Sequence, residues 1–216
     1  MLTILEAIEP MMTDALGLAA ARSVFRTLPS AVHQPTGSLD VVEVRDVMLH
    51  LETSGRLFAT PSRPFPAELL RDVVTRGSAA KPSERRFTVS SDHDVLVVQR
   101  ATQALCRGFF DTTGCARLAT ASSELARNIS MYAKQGTLTL RLSDENTHWR
   151  FDVSAVDEGP GIHNLAEILR GEYRSRTGLG RGIIGTRALL DELNIDTAPG
   201  KGTRITGHRR LRKGPS

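Results

Sequence analysis

Two neighbouring stretches alternate apolar and polar residues with a period of two. In GTLTLRLS (136–143), Leu138, Leu140 and Leu142 share one face, and in HWRFDVSAVD (148–157), Trp149, Phe151, Val153 and Ala155 do the same. Both read as half-buried strands, so the chain needs a second layer to cover their dry side. The flanking sequence offers one. A short strand, RFTVSS (86–91), is followed by a helix over 92–110, capped near Ser91 or Asp92, and a second over 111–134, capped by Asp111 or Thr112. After the two strands come a glycine-rich loop, a helix over 183–193 and a hairpin over 194–210 with a PGKG turn. This order predicts an α/β fold: a two-layer sandwich with a mixed sheet and helices on one face.

The first 60 residues read differently. TDALGLAAARSVFRTL (13–28) opens on a Thr/Asp cap signal and repeats apolar residues at helical spacing. SLDVVEVRDVMLHLETSGRLF (38–58) does so too, with Leu39, Val42, Val47, Leu51 and Leu57 as expected core positions. A turn-rich connection, residues 29–37, joins them. Residues 1–60 are expected to form a small all-α domain. Residues 61–84, rich in proline and arginine, are expected to be a linker with one short helix in PAELLRDVV, leading to a domain over 85–213.

Composition narrows the function. With 216 residues the chain can bury a core without staples. Its net charge of +4 is dispersed, and no aromatic-rich basic stripe is present, so a nucleic-acid partner is not expected. Cys106 and Cys115 fit no zinc or redox spacing, which points to a reducing compartment. No stretch approaches the roughly 20 apolar residues of a membrane span, and the N-terminus lacks the basic region of a signal peptide. A cytoplasmic, membrane-free protein is expected.

Four constellations carry chemistry. In SSELARNISMYAKQG (122–136), Glu124 and Asn128 lie four residues apart on one helical face. That is either an ordinary polar face or a metal site in which the Asn carbonyl holds Mg²⁺ and the Glu orients a water on the metal or takes a proton; Leu125 and Ile129 point to the core. In VDEGPGI (156–162), Asp157 ends a strand and Gly159 and Gly161 follow. This is either a turn or a carboxylate placed to accept from an exocyclic amine beside backbone open to a flat ring. In TGLGRGIIG (177–185), Gly178, Gly180 and Gly182 lead into a helix N-terminus, which suits phosphates. Gly180, Gly182 and Gly185 also match a dinucleotide fingerprint, but the loop comes late in the chain and no ribose-binding unit follows. In GKGTRIT (200–206), Gly202 and Thr203 open the last strand, which alone is only a hairpin turn.

Together and in this order, ELARN, DEGPG, GLGRG and GKGT resemble the N, G1, G2 and G3 boxes of the GHKL ATPases, which share the Bergerat ATP-binding fold. The resemblance covers about residues 85–210. Within that superfamily the chain is most similar to the small bacterial serine/threonine switch kinases, of the RsbT type and, more distantly, the anti-sigma-factor kinases. The resemblance implies ATP and Mg²⁺ as cofactors, with Asn128 holding the metal and Glu124 as the general base. It implies that Asp157 binds the adenine amine, supported by Gly159, by Gly161 and, through water, by Thr203. Gly178, Gly180 and Gly182 would form the phosphate lid, with Lys134, Arg174, Arg176 and Arg181 as phosphate contacts.

The substrate so implied is a serine or threonine on a STAS-domain antagonist protein in a partner-switching stress or sigma-factor system. A PP2C-type phosphatase or a sigma-factor regulator is the implied second partner. The alternative is a non-catalytic ATP-binding module that sequesters or activates a partner. Residues 1–80 depart from the family pattern, and homodimerisation through their helices is one role open to them. A histidine-kinase reading would need a phosphoacceptor; His33 lies in a loop and His50 lacks the accompanying motif.

Overall fold

The computed structural model describes residues 2–62, 64–75, 80–170 and 181–213. The chain divides into two compact units, Met1–Ser83 and Glu84–Ser216.

The first unit is helical. Helix α1 (Ile4–Leu16) starts at Thr3, whose side chain accepts from the Glu6 N–H while Glu6 reaches back to the Thr3 N–H. The expected start at Thr13 or Asp14 is therefore not a start: α1 runs through both and ends at Gly17, where φ is +86°. That backbone geometry favours glycine and splits the expected helix, so α2 (Leu18–Phe25) begins afresh. Helix α3 (Val41–Gly55) is capped by Asp40, again reciprocated three residues on, by Glu43. Leu39, Val47 and Leu51 are buried as expected, Val42 is half-buried, and Leu57 is 81% exposed because α3 stops at Gly55.

The segment expected to be a linker carries α4 (Ala67–Thr75). Leu70 and Val74 are fully buried in one cluster with Ile4, Ile8, Val47 and Leu51. Downstream, the Val41 N–H donates to the Lys81 carbonyl at 2.8 Å and the Lys81 N–H donates to the Leu39 carbonyl at 3.1 Å, tying the chain back to the start of α3. The four prolines break regular structure around α4, but its apolar stripe still finds a core. Leu70→Ala is expected to destabilise this unit by about 2–5 kcal/mol through lost burial and an incompletely collapsed cavity. Denaturant unfolding measures it, and a loss under about 0.5 kcal/mol, typical of surface sites, would show that α4 is only attached at the surface.

The second unit is the predicted sandwich. Strand β1 (Ser83–Val89) precedes α5 (Asp92–Cys106), capped by Ser91, and α6 (Thr112–Asn128), capped by Asp111. Then come β2 (Gly136–Glu145), β3 (His148–Asp157), the short α7 (Leu165–Leu169), α8 (Arg181–Leu189), β4 (Glu192–Thr197) and β5 (Thr203–Arg212). Helix α8 ends two residues before Asp191, where the sequence had suggested that it continued. The five strands lie in the order β1-β2-β3-β5-β4. The pairings β2–β3, β3–β5 and β4–β5 are antiparallel, where the sequence had suggested a mixed sheet.

The alternation seen in the sequence sets the layers. Leu138, Leu140, Leu142, Phe151, Val153, Ala155 and Ile205 are buried toward the helices, while Thr139, Arg141, Asp152, Ser154 and Thr206 on the opposite face are not. Among the described residues no helix is long and apolar enough to cross a membrane.

Candidate nucleotide site

The site forms where the C-terminal end of β3 meets the start of β5. Register places Asp157, the last residue of β3, directly opposite Thr203, the first of β5. Both flank a cavity of about 230 Å³. Leu125 and Ile129 of the α6 segment, Ala155, Ile183 and Ile205 give it an apolar wall, and Asn128, Asp157, His163 and Thr203 supply polar groups. An apolar slot with a few convergent polar groups is the usual form of a small-molecule site.

Short loops hold these groups. The Asp157 Oδ1 accepts from the Gly159 N–H at 2.9 Å, which fixes one carboxylate oxygen and leaves the other. The loop after β3 is stitched to the β4–β5 turn: the Gly202 N–H donates to the Gly159 carbonyl at 3.0 Å and the Gly200 N–H to the Pro160 carbonyl at 2.8 Å. Contact this close requires missing side chains. A Cβ on Gly161 would run into the Ala198 carbonyl and one on Gly202 into the Asp157 carbonyl. A Cβ on Gly159 would lie 2.6 Å from that of Ala133. Gly202 also has φ +76°, which costs other residues about 1–3 kcal/mol before any clash. Gly202→Ala is expected to lower the melting temperature and weaken ligand binding together; an unchanged melt would contradict this packing.

Glu124 and Asn128 stand one turn apart on α6, both half-buried. Gly182, in the first turn of α8, backs onto them: a Cβ there would lie 2.9 Å from Glu124 Oε2 and 3.7 Å from Asn128 Oδ1. The Asn128 Nδ2 is buried and finds no hydrogen-bond partner among the described residues. Such a group is costly unless something satisfies it. Since the two ends of an Asn amide are assigned rather than seen, the observation is that one end of this amide is buried beside the cavity with no partner among the described residues. A nucleotide with its metal fits this donor set.

After Asn128 the helix widens into a π turn (Ile129–Ala133) that ends at Lys134, with φ 68°. Such insertions often mark functional sites. Here the turn brings Tyr132 and Ala133 into the cavity wall. Lys134 is exposed and not part of that wall. The structure thus brings together Glu124, Asn128 and Gly182 on one side and Asp157, Gly159, Gly161 and Thr203 on the other. Arg174, Arg176, Gly178 and Gly180 lie outside the described residues, as does the Arg181 side chain.

Sequence reasoning missed Tyr132, Ile162, His163, Ile183 and Ile205 as cavity residues. Ile205 was legible in principle: it lies two residues beyond Thr203, hence on the same face of β5. Leu125 and Ile129, assigned to the core, are buried as expected and also form cavity wall.

No protein-family profile matches the chain. The Acinetobacter baumannii histidine kinase AdeS superposes with a TM-score of 0.33 at 16% identity, covering 94% of this chain and 97% of that one; a fit that loose has no bearing on the site. Sequence kinship is closer. The chain is 35% identical over 125 residues to the serine/threonine-protein kinase RsbT of Bacillus subtilis (strain 168), across 57% of this chain and 94% of the relative. Kinship over nearly the whole of that relative places the chain in the RsbT-type family of GHKL serine/threonine-protein kinases.

Proposed function

We propose that this chain is an ATP- and Mg²⁺-dependent protein serine/threonine kinase of a bacterial partner-switching system. The observation that carries the reading is the pairing of Asp157 and Thr203 at an apolar cavity that Asn128 also lines, its buried amide nitrogen without a hydrogen-bond partner among the described residues. Asp157 accepts the adenine amine, and the apolar wall takes the base. Asn128 holds Mg²⁺, which neutralises phosphate charge when bound. Glu124, one turn from Asn128, accepts the proton of the incoming hydroxyl. Phosphoryl transfer asks mainly for positioning and charge neutralisation, and this set of side chains is suited to both.

The substrate proposed is a serine or threonine of a STAS-domain antagonist. A phosphate there would break a packed interface by charge and desolvation and release the kinase to a second partner such as a PP2C-type phosphatase. Transfer of label from γ-labelled ATP to candidate STAS-domain proteins, with Mg²⁺ present and then chelated, tests this. Label on a Ser or Thr that disappears on chelation supports it. Mg-ATP binding with no transfer to any such protein would instead assign a non-catalytic nucleotide switch.

A further inference from the structure

The charges of the second unit are sorted between its two faces. On the open face of the sheet, basic and acidic side chains interleave. Arg150 pairs with Asp152 at 2.8 Å and with Glu145 at 3.5 Å, and Arg210 pairs with Glu145 at 2.8 Å. The helices on the other face differ. Past the first turn of α5, the segments α5, α6 and α8 contain one acidic residue, Glu124. They carry Arg100, Arg117, Arg127 and Arg187, all exposed.

Helix α6 packs against both α5 and α8, so its solvent side is the middle of this layer. Arg117 precedes Glu124 by seven residues, close to two full turns, and shares its side of the helix. Arg127 follows Glu124 by three residues, a spacing at which opposite charges can pair. Yet neither arginine forms an ion pair among the described residues. Their charges are not neutralised within the fold, unlike those of Arg150 and Arg210.

Apolar exposure is sorted in the same way. Among the described residues, the large hydrophobic side chains exposed in this unit are Leu96, Val97, Met131, Leu169 and Ile184. All belong to α5, the π turn, α7 or α8, and none to a strand. Scattered singly they would mean little. Gathered on the layer that also holds the unpaired arginines, they describe a recognition surface.

We propose that the solvent side of α5, α6 and α8, centred on Arg117 and Arg127, is the docking surface for the protein that is phosphorylated. The partner's contact face is acidic and apolar, and it delivers its hydroxyl to Glu124. Nucleic acid suits the arginines but not the apolar side chains, and its phosphates are repelled by the carboxylate among them. A protein-kinase family favours a protein over a lipid surface. The inference rests on the kinase reading for the role of Glu124 and adds to it the chemistry of the partner's surface.

Fluorescence anisotropy of the full chain with two labelled, serine-containing peptides tests it. One peptide is rich in glutamate and leucine; the other has lysine in place of each glutamate. At low ionic strength the acidic peptide is expected to bind roughly tenfold or more tightly than the basic one, and added salt weakens it. Arg117→Gln with Arg127→Gln is expected to weaken the acidic peptide roughly three- to thirtyfold, the worth of two exposed ion pairs. Arg141→Gln with Arg204→Gln removes the same charge from exposed positions on the open sheet face, and binding then changes by less than about twofold. Lysine at positions 117 and 127 retains binding. All four positions are exposed, so melting temperatures stay near that of wild type. The comparison of the two peptides on wild type decides the sign of the charge whatever the variants do.

An acidic peptide that binds no better than the basic one overturns the proposal. So does an equal loss in the two glutamine pairs, which would make the attraction one of net charge alone. Binding to phosphatidylserine vesicles in place of the acidic peptide, lost with Arg117→Gln and Arg127→Gln, overturns it in favour of a membrane. Mg-ATP binding is read separately on the same proteins. Its absence from wild type defeats the kinase reading, and peptide binding that persists without it keeps the surface assigned.

Discussion

Replacing Glu124 with glutamine is expected to lower phosphoryl transfer by about 10²–10⁴-fold, the usual worth of a general base, while Mg-ATP affinity stays near that of wild type. The change keeps size and shape, so α8 can still approach as closely at Gly182, where there is no room for a Cβ beside residue 124, and the packing of α8 against α6 is undisturbed. What is lost is the ability to take a proton. Binding is retained because the cavity wall includes Asn128, Asp157 and Thr203 but not Glu124. Initial-rate transfer assays with a phosphorylatable partner, paired with calorimetry, separate the two properties. Transfer at the wild-type rate would remove Glu124 from the role of base; loss of ATP binding would show that its carboxylate is needed to assemble the site rather than to move a proton.

The second large effect is expected at Asp157. In Asp157→Asn, the amide oxygen can keep the bond from the Gly159 N–H. Its NH₂ group then points into the cavity and meets the amine of the base donor to donor. Hydrogen bonds to charged groups are worth about 1.5–3 kcal/mol, so Mg-ATP affinity should fall roughly 10- to 150-fold. The unliganded melting temperature should change little, since the β3–β5 pairing does not depend on the charge. Binding within twofold of wild type would mean that the base is held elsewhere. A large loss of stability would mean instead that the carboxylate is a structural brace.

Much of this site was readable because it sits at ends of regular elements. Asp157 closes an alternating run, and Glu124 and Asn128 share a helical face; both facts follow from period alone. Strand boundaries at 148–157 were legible for the same reason, since a half-buried strand announces its dry face residue by residue. Thr197 was not legible. Its hydroxyl meets the Ile162 N–H, the Gly202 carbonyl and the Thr203 hydroxyl across a turn, and in the sequence it is one more polar residue before PGKG. The π turn at Ile129–Ala133 was hidden too, because an inserted residue changes which face Tyr132 occupies without altering composition. Residues 61–84 misled in the other direction: prolines signal broken structure, but they say nothing about whether the short helix between them finds a core. Leu57 failed because its periodicity continued past the point where the backbone of α3 stopped.

One feature of the sheet reaches beyond catalysis. Asp157 and Thr203 face each other only because β3 and β5 pair in one register, and a slip by a single residue would send every side chain on the strand to the opposite face. A ligand that needs both residues cannot bind the slipped arrangement. A nucleotide held by both residues would therefore act as a proofreader of strand alignment, adding to the correct fold alone a stabilisation of about 2.7 kcal/mol at a free concentration one hundred times its dissociation constant. The supply of such a nucleotide and the quantity of properly assembled protein would then be one variable.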